Sequence, residues 1–169
     1  MFKTIRIVFI SLLLLLSVRS NAQFVSAMIG VNGLTCSACT RTVEMSIRKL
    51  AFVENVTMNL ENTEGSITFK ANSEADIEKI SKAVYDAGFS VRYLKAVFHF
   101  SGEQVQAGNC VKSGKYSFTF INTTGQTLNG DVNLRFLGQP FQTKNMYTKM
   151  KTQLVSACDG KDKSYFVSL

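Results

Sequence analysis

Two cysteines stand two residues apart in the segment GLTCSACTRTV, residues 33–43. Cys39 falls where a helix is expected to begin, so its sulfur and that of Cys36 can converge on one point. Backbone N–H groups at a helix N-terminus stabilise thiolates and lower the thiol pKa, which favours metal ligation and nucleophilic attack. The pair could therefore hold a soft metal ion, act as a redox dithiol or form a local disulfide.

A metal site built from this pair would have few and soft ligands. Two thiolates suit Cu(I), Hg(II) or another soft ion, whereas a structural Zn(II) site needs four ligands. The only histidine is His99, far from the pair along the chain. The residues near the pair therefore favour Cu(I) or Hg(II) over zinc.

A redox function for the pair is the alternative. A C-x-x-C segment near a βαβ pattern can be a thioredoxin-like dithiol, but such sites usually carry Trp and Pro beside the cysteines. This chain has no Trp, and its one proline is Pro140. A thiol–disulfide oxidoreductase stays open, as does a purely structural bridge between Cys36 and Cys39. No acid–base dyad or nucleophile–base pair elsewhere indicates an enzyme.

The elements around the pair follow from hydrophobic periodicity. Alternation predicts a strand from residue 24 that ends at Gly33, and helical spacing predicts a helix over residues 38–50. A hairpin follows around the turn ENTEG, then a helix capped by Ser73 and ended at Gly88, then a fourth strand. The order β-α-β-β-α-β over residues 23–95 predicts a ferredoxin-like sandwich, and an α+β fold class.

The remainder, residues 96–169, has a different pattern. Alternating aromatic and aliphatic residues around 98–100, 116–120 and 132–136, separated by turn signals, predict a small mostly-β domain. Only residues 144–156 fit a helix. This domain is expected to serve in docking, oligomerisation or anchoring.

The second domain has its own cysteines. Cys110 and Cys158 lie 48 positions apart, and a disulfide between them would stabilise an exported small domain by about 3 to 4 kcal/mol. Free thiols recruited to metal are the alternative. Met146 and Met150 are four residues apart and could add thioether ligands, although methionines at helical spacing more often serve packing.

Residues 1–22 have the layout of a secretory signal peptide, with basic residues, an apolar run and small residues before a cut after Ala22. An uncleaved membrane anchor is the alternative, but the apolar run is shorter than the ~20 residues that span a bilayer. After cleavage no membrane anchor is expected. Cleavage lowers the net charge from +7 to +4. Without a clustered basic face, a nucleic-acid partner is not expected. The mature chain is expected in the bacterial periplasm or outside the cell.

Three segments resemble the heavy-metal-associated domain family. They are GLTCSACTRTVE, VENVTMNLE and ISKAVYDAGFSV, and together they cover nearly all of the first domain and none of the second. The family includes copper chaperones, N-terminal segments of metal-transporting ATPases and an exported mercury-binding protein. The resemblance implies metal binding without catalysis.

The resemblance also implies roles for single residues. Cys36 and Cys39 match the two metal-binding thiolates. Leu34 stands where the family usually has a methionine beneath the loop, and Phe89 matches an aromatic position beside it. Thr35 replaces the acidic residue of members tuned to divalent metals, which favours Cu(I). The implied partner is a metal-transporting ATPase or another thiolate-bearing protein, which takes or gives the metal by ligand exchange.

Export creates a difficulty for this interpretation. An empty thiol pair in an oxidising compartment is exposed to oxidation. Three explanations stay open: another agent reduces the pair, the protein meets its metal soon after export, or it acts where the redox conditions are mild.

Overall fold

The computed structural model describes residues 23–155, 158 and 163–169. The predicted signal peptide, residues 1–22, lies outside the described residues. Within them, none of the helices has both the length and the apolar character needed to span a bilayer.

The first half of the chain has the predicted order of elements. They are β1 (Phe24–Asn32), α1 (Ser37–Arg48), β2 (Val53–Asn59), β3 (Glu64–Phe69), α2 (Ile77–Asp86) and β4 (Ser90–Val105). Gly88 has a φ of 87° and ends α2 as expected. The cap of α2 was predicted wrongly. Asp76 accepts from the backbone N–H of Lys79 at 3.4 Å, while the hydroxyl of Ser73 donates to the carbonyl of Lys70.

These strands form an antiparallel sheet in the order β2-β3-β1-β4. One face is covered by the two helices, whose buried residues include Val43 and Ile47 of α1 and Ile80 and Val84 of α2. Ser46 of α1 also donates a hydrogen bond to a carbonyl of α2. This half is therefore the ferredoxin-like sandwich that the sequence predicts, with its other sheet face open.

The second half continues the same sheet. It comprises β5 (Cys110–Ser113), β6 (Tyr116–Phe120), β7 (Gln126–Leu137), α3 (Lys144–Met150) and β8 (Lys163–Ser168). The full order is β2-β3-β1-β4-β7-β8-β6-β5. Among the strands that the structure describes, only β6 and β8 pair in parallel. The predicted boundary after residue 95 falls inside β4, whose sixteen residues serve both halves.

An aromatic cluster fills the core of the second half and reaches the first. Phe24, at the start of β1, lies with its ring centroid 4.9 Å from that of Phe98 and 4.8 Å from that of Tyr116. The other members include Phe100, Phe118, Phe120, Phe136, Phe141 and Tyr165. Because β1 contributes to it directly, the two halves share one hydrophobic core.

Polar contacts join the second half to the start of α2. The hydroxyl of Tyr116 donates to the carbonyl of Ala75 at 3.0 Å, in a buried position. Lys163 of β8 pairs with Asp76 at 2.8 Å, and Lys115 pairs with Glu74. The second half therefore contacts the N-terminal end of α2, whereas Gly88 follows the opposite, C-terminal end of the helix.

Candidate metal centre

The cysteine pair lies in the turn that connects β1 to α1. Gly33 follows the strand with a φ of +88°, a left-handed conformation that glycine adopts without strain. Leu34 then enters the core and is only 5% exposed. This turn brings Cys36 to the first position before the helix.

Cys36 is itself the N-cap of α1. Its backbone is extended (φ −148°, ψ 158°), and its sulfur accepts a hydrogen bond from the backbone N–H of Cys39 at 3.2 Å. Its carbonyl accepts from both the backbone N–H and the hydroxyl of Thr40, each at 3.1 Å. The sulfur thus takes the place that a Ser, Thr or Asp oxygen usually occupies at a helix start, which orients it toward the positive end of the helix.

The two cysteines differ in exposure. Cys36 is exposed, whereas Cys39 is partly buried and packs against the hydrophobic core. In this structure their sulfurs are joined in a disulfide, and the Cα atoms lie 5.3 Å apart. The two sulfurs therefore meet at one point, as the C-x-x-C spacing predicts. They do so as a local disulfide, which is one of the three alternatives for the pair.

The structure places Leu34, Thr35 and Phe89, the other residues predicted for the loop, at or beside the turn. Leu34 lies in the core beneath the turn. Phe89 is partly buried, and a Cβ atom at Gly33 would lie 3.6 Å from Cδ1 of its ring. Thr35 is exposed beside Cys36. Sequence reasoning missed Thr40, although a threonine four residues after a candidate cap is a recognisable signal for a side-chain bond back to the cap carbonyl.

Exposed basic residues follow the pair along α1 and at its C-terminal end. The first turn of α1 has no acidic residue. Arg48 pairs with Glu44 at 2.9 Å, while Arg41 and Lys49 are exposed. A groove of about 740 Å³ begins at Ser37, between the cysteines, and runs along α1 past other residues, including Met45 and Met58.

The other sequence candidates lie away from this turn. Cys110 and Cys158 are joined in a disulfide, and the Cys158 sulfur lies 3.6 Å from the hydroxyl of Thr119. His99 Nδ1 lies 2.7 Å from a carboxylate oxygen of Asp131 on β7. The described residues hold no group of three or more His, Cys, Asp or Glu side chains that could bind a metal ion.

Comparison with known proteins identifies the part of the chain that carries the pair. Residues 29–90 match the model of the heavy-metal-associated domain. These residues are a heavy-metal-associated domain. The match includes the turn with both cysteines and ends at the start of β4, so most of the second half lies beyond it.

Relatives of this heavy-metal-associated domain occur in two kinds of protein. It is 37% identical over 67 residues to "Copper-transporting ATPase 1" of Rhizobium meliloti (strain 1021), an alignment that covers 40% of this chain and 8% of the relative. It is 38% identical over 61 residues to the "Mercuric transport protein periplasmic component" of Serratia marcescens, covering 36% of this chain and 66% of the relative. The chain thus spans only part of each relative.

Two solved structures are also similar to this part of the chain. A "CopZ metallochaperone" is 26% identical with a TM-score of 0.37, over 39% of this chain and 97% of that one. Oxidized MerP from Ralstonia metallidurans CH34 is 36% identical with a TM-score of 0.35, over 41% of this chain and 96% of that one. By sequence, the heavy-metal-associated domain is homologous to parts of proteins named for copper and for mercury transport.

Proposed function

We propose that this chain is an exported protein that binds Cu(I) through Cys36 and Cys39 and passes it on as a chaperone or scavenger. The observation that carries the proposal is the position of the pair. Cys36 caps α1 with its sulfur, and Cys39 lies one turn further on, within a heavy-metal-associated domain. Two soft ligands in this arrangement match the preference of Cu(I).

Metal binding requires the pair to be reduced first. The disulfide takes up two electrons and two protons from a thiol reductant, which leaves two thiol groups. Cu(I) then displaces both protons and binds the two thiolates. The backbone N–H of Cys39 and the N-terminus of α1 favour the negative charge on Cys36.

The unequal exposure of the two cysteines suits transfer by ligand exchange. An incoming thiolate can reach a metal at the exposed Cys36, while the partly buried Cys39 holds it until exchange is complete. The acceptor or donor is a metal-transporting ATPase or another thiolate-bearing protein. Arg41 on α1 and Lys49 at its C-terminal end are exposed and would attract an acidic partner surface.

Mercury is the second candidate for the metal. The relatives that share 34–38% identity with this domain include several periplasmic components named for mercuric transport. Two thiolates also suit Hg(II). The same pair would then serve a detoxification system, with the metal again as cargo.

A thiol–disulfide oxidoreductase is the alternative function, and the Cys36–Cys39 disulfide is the observation that favours it. In that case the pair would exchange electrons with a substrate disulfide rather than hold metal. Reduction of insulin by the protein, lost in the cysteine variants, would indicate this activity.

A competition experiment tests the proposal. The reduced protein competes with a chromophoric Cu(I) chelator, in parallel with the Cys36→Ser, Cys39→Ser double variant. The Cys110→Ser, Cys158→Ser double variant is the matched control, since it also loses two cysteines. We expect Cu(I) retention by the parent and the control only. Equal Cu(I) retention by the Cys36→Ser, Cys39→Ser variant would overturn the proposal. A parallel Hg(II) titration compares the affinities of the protein for the two metals.

Export is tested separately. We propose that the signal peptide is cut after Ala22, so N-terminal sequencing of protein from the periplasm of an expressing bacterium should begin at Gln23. Protein that starts at Met1 and stays in the cytoplasm would contradict this part of the proposal.

A further inference from the structure

The face of the sheet that the helices leave open carries a cluster of basic residues. Along β4, Leu94 and Ala96 point into the core and are at most 1% exposed. Tyr93 and Lys95 alternate with them and are partly exposed. Since successive side chains of a strand point to opposite faces, Tyr93 and Lys95 lie on the face that the helices leave open.

Tyr93 is held firmly on this face. Its hydroxyl donates a 2.5 Å hydrogen bond to the carboxylate of Glu64 on β3. Its ring lies across β1 at Gly30, where a Cβ atom would come within 2.6 Å of Cε1 of the ring. Glycine at this position therefore allows the ring to lie against the strand.

Three cations lie near this ring. The Arg92 guanidinium carbon lies 5.4 Å from the ring centroid, and Arg92 pairs with Glu64 at 3.5 Å. The other two cations face each other across neighbouring strands. Lys95 of β4 is directly opposite Arg135 of β7 in the ladder. The Lys95 ammonium lies 5.6 Å and the Arg135 guanidinium carbon 6.0 Å from the centroid of Tyr93. Like charges directly opposite in a sheet are destabilising. Within the described residues, no acidic side chain forms a salt bridge with either cation.

A shallow hollow adjoins Lys95 on the same part of the sheet. Its volume is about 200 Å³, and its lining includes Ser26, Ser66, Thr68 and Asn133. These side chains provide hydrogen-bond donors beside the two cations. Met28, which is 40% exposed, adds an apolar surface at the same place.

We propose that this face, made by Tyr93, Lys95, Arg135 and the hollow, docks an acidic segment of a partner protein. Glutamate or aspartate carboxylates of the segment pair with the two cations and relieve their mutual repulsion. The hydroxyl and amide groups of the hollow bind polar groups of the same segment, and Met28 contacts its apolar atoms. The surface is separate from α1, so the partner can bind while the cysteine turn stays accessible.

A poly-glutamate peptide is the probe for this surface. Titration into the isotope-labelled full mature chain should shift the backbone amide signals of Lys95, Arg135 and their neighbours on β1 and β3. Arg135→Gln and Lys95→Gln should each weaken binding about two- to fivefold, the size expected of one exposed ion pair. Lys149→Gln, an equal charge change on exposed α3, is the control and should leave binding unchanged.

A stability measurement separates docking from a structural role. If the two cations repel each other, Arg135→Gln should leave the urea midpoint unchanged or raise it while peptide binding weakens. A lower midpoint for Arg135→Gln would mean that the cation supports the fold, and would overturn the proposal. So would peptide-induced shifts confined to α1, equal weakening by Lys149→Gln, or binding of inorganic phosphate without binding of the peptide.

Discussion

The backbone N–H of Cys39 donates a hydrogen bond to the sulfur of Cys36 over 3.2 Å. In the oxidised form, one candidate ligand is therefore held by the backbone of the other. The cap also links the sulfur to the start of α1, so the turn and the helix form one unit.

The unequal exposure of the pair predicts unequal reactivity. In the reduced protein, limiting iodoacetamide should modify Cys36 before Cys39. The reason is that Cys36 is exposed and is the N-cap of α1, whereas Cys39 packs against the core. Peptide mass spectrometry after short reaction times measures the order. Faster modification of Cys39 would show that the solution structure of the reduced turn differs from the arrangement described here.

The turn itself can be tested at Gly33. Gly33→Ala places a side chain at a φ of +88°, which should lower the free energy of unfolding by about 1–2 kcal/mol. The variant should also bind Cu(I) more weakly, because the strained residue is next to Leu34 and close to Cys36. Gly88→Ala is the matched control, with a φ of +87° and open space around it.

Gly88→Ala should lose similar stability in urea denaturation and keep its Cu(I) affinity. Equal Cu(I) affinity in both variants would contradict the prediction, because it would show that the conformation of the turn at Gly33 does not affect Cu(I) binding.

Much of the first half follows from its sequence, because local signals and tertiary packing agree there. The strand from Phe24, the helix after Cys36 and the left-handed end at Gly88 are each marked by neighbouring residues. The N-cap of α2 was misassigned because Ser73 and Asp76 are both good capping residues. Asp76 also accepts a hydrogen bond from Lys163, which is 87 residues further along the chain, so no local pattern predicts this contact.

The second half depends more on distant pairings. Alternation predicts a strand at Tyr116–Phe120 with one buried face, but every residue of β6 is buried. The reason is that β6 lies between β5 and β8 and inside the aromatic cluster, and its parallel pairing with β8 joins segments far apart in sequence. Likewise, nothing between residues 90 and 105 indicates that one strand serves both halves.

The disulfide between Cys110 and Cys158 should stabilise the fold without affecting the metal site. Its two cysteines are 48 positions apart, so replacing both by serine should lower the free energy of unfolding by about 3–4 kcal/mol in the loop-closure model. Urea denaturation under non-reducing conditions gives this difference. An unchanged urea midpoint would mean that the bridge adds no stability.

Alkaline pH should weaken the contact between the two halves. Burial, helped by Glu74 and Asp76, raises the pKa of Tyr116 from 10.0 to about 12. The folded protein therefore keeps a proton that the unfolded chain loses. The resulting stability is fully present below pH 10.0 and declines as the pH rises toward 12.

Tyr116→Phe should remove part of that decline, and at neutral pH should cost about 1 kcal/mol through the lost hydrogen bond to Ala75. Denaturation curves across this pH range measure both effects. Tyr85→Phe, at an exposed tyrosine, is the control and should match the parent throughout.

X-ray absorption at the copper edge of the reduced, Cu(I)-loaded mature chain tests the central claim most directly. We predict two sulfur neighbours around each copper ion. The Cys36→Ser, Cys39→Ser variant should lose them, and the Cys110→Ser, Cys158→Ser variant should keep them. Nitrogen or oxygen neighbours in place of sulfur, or a sulfur signal that persists without Cys36 and Cys39, would contradict the assignment of the metal site.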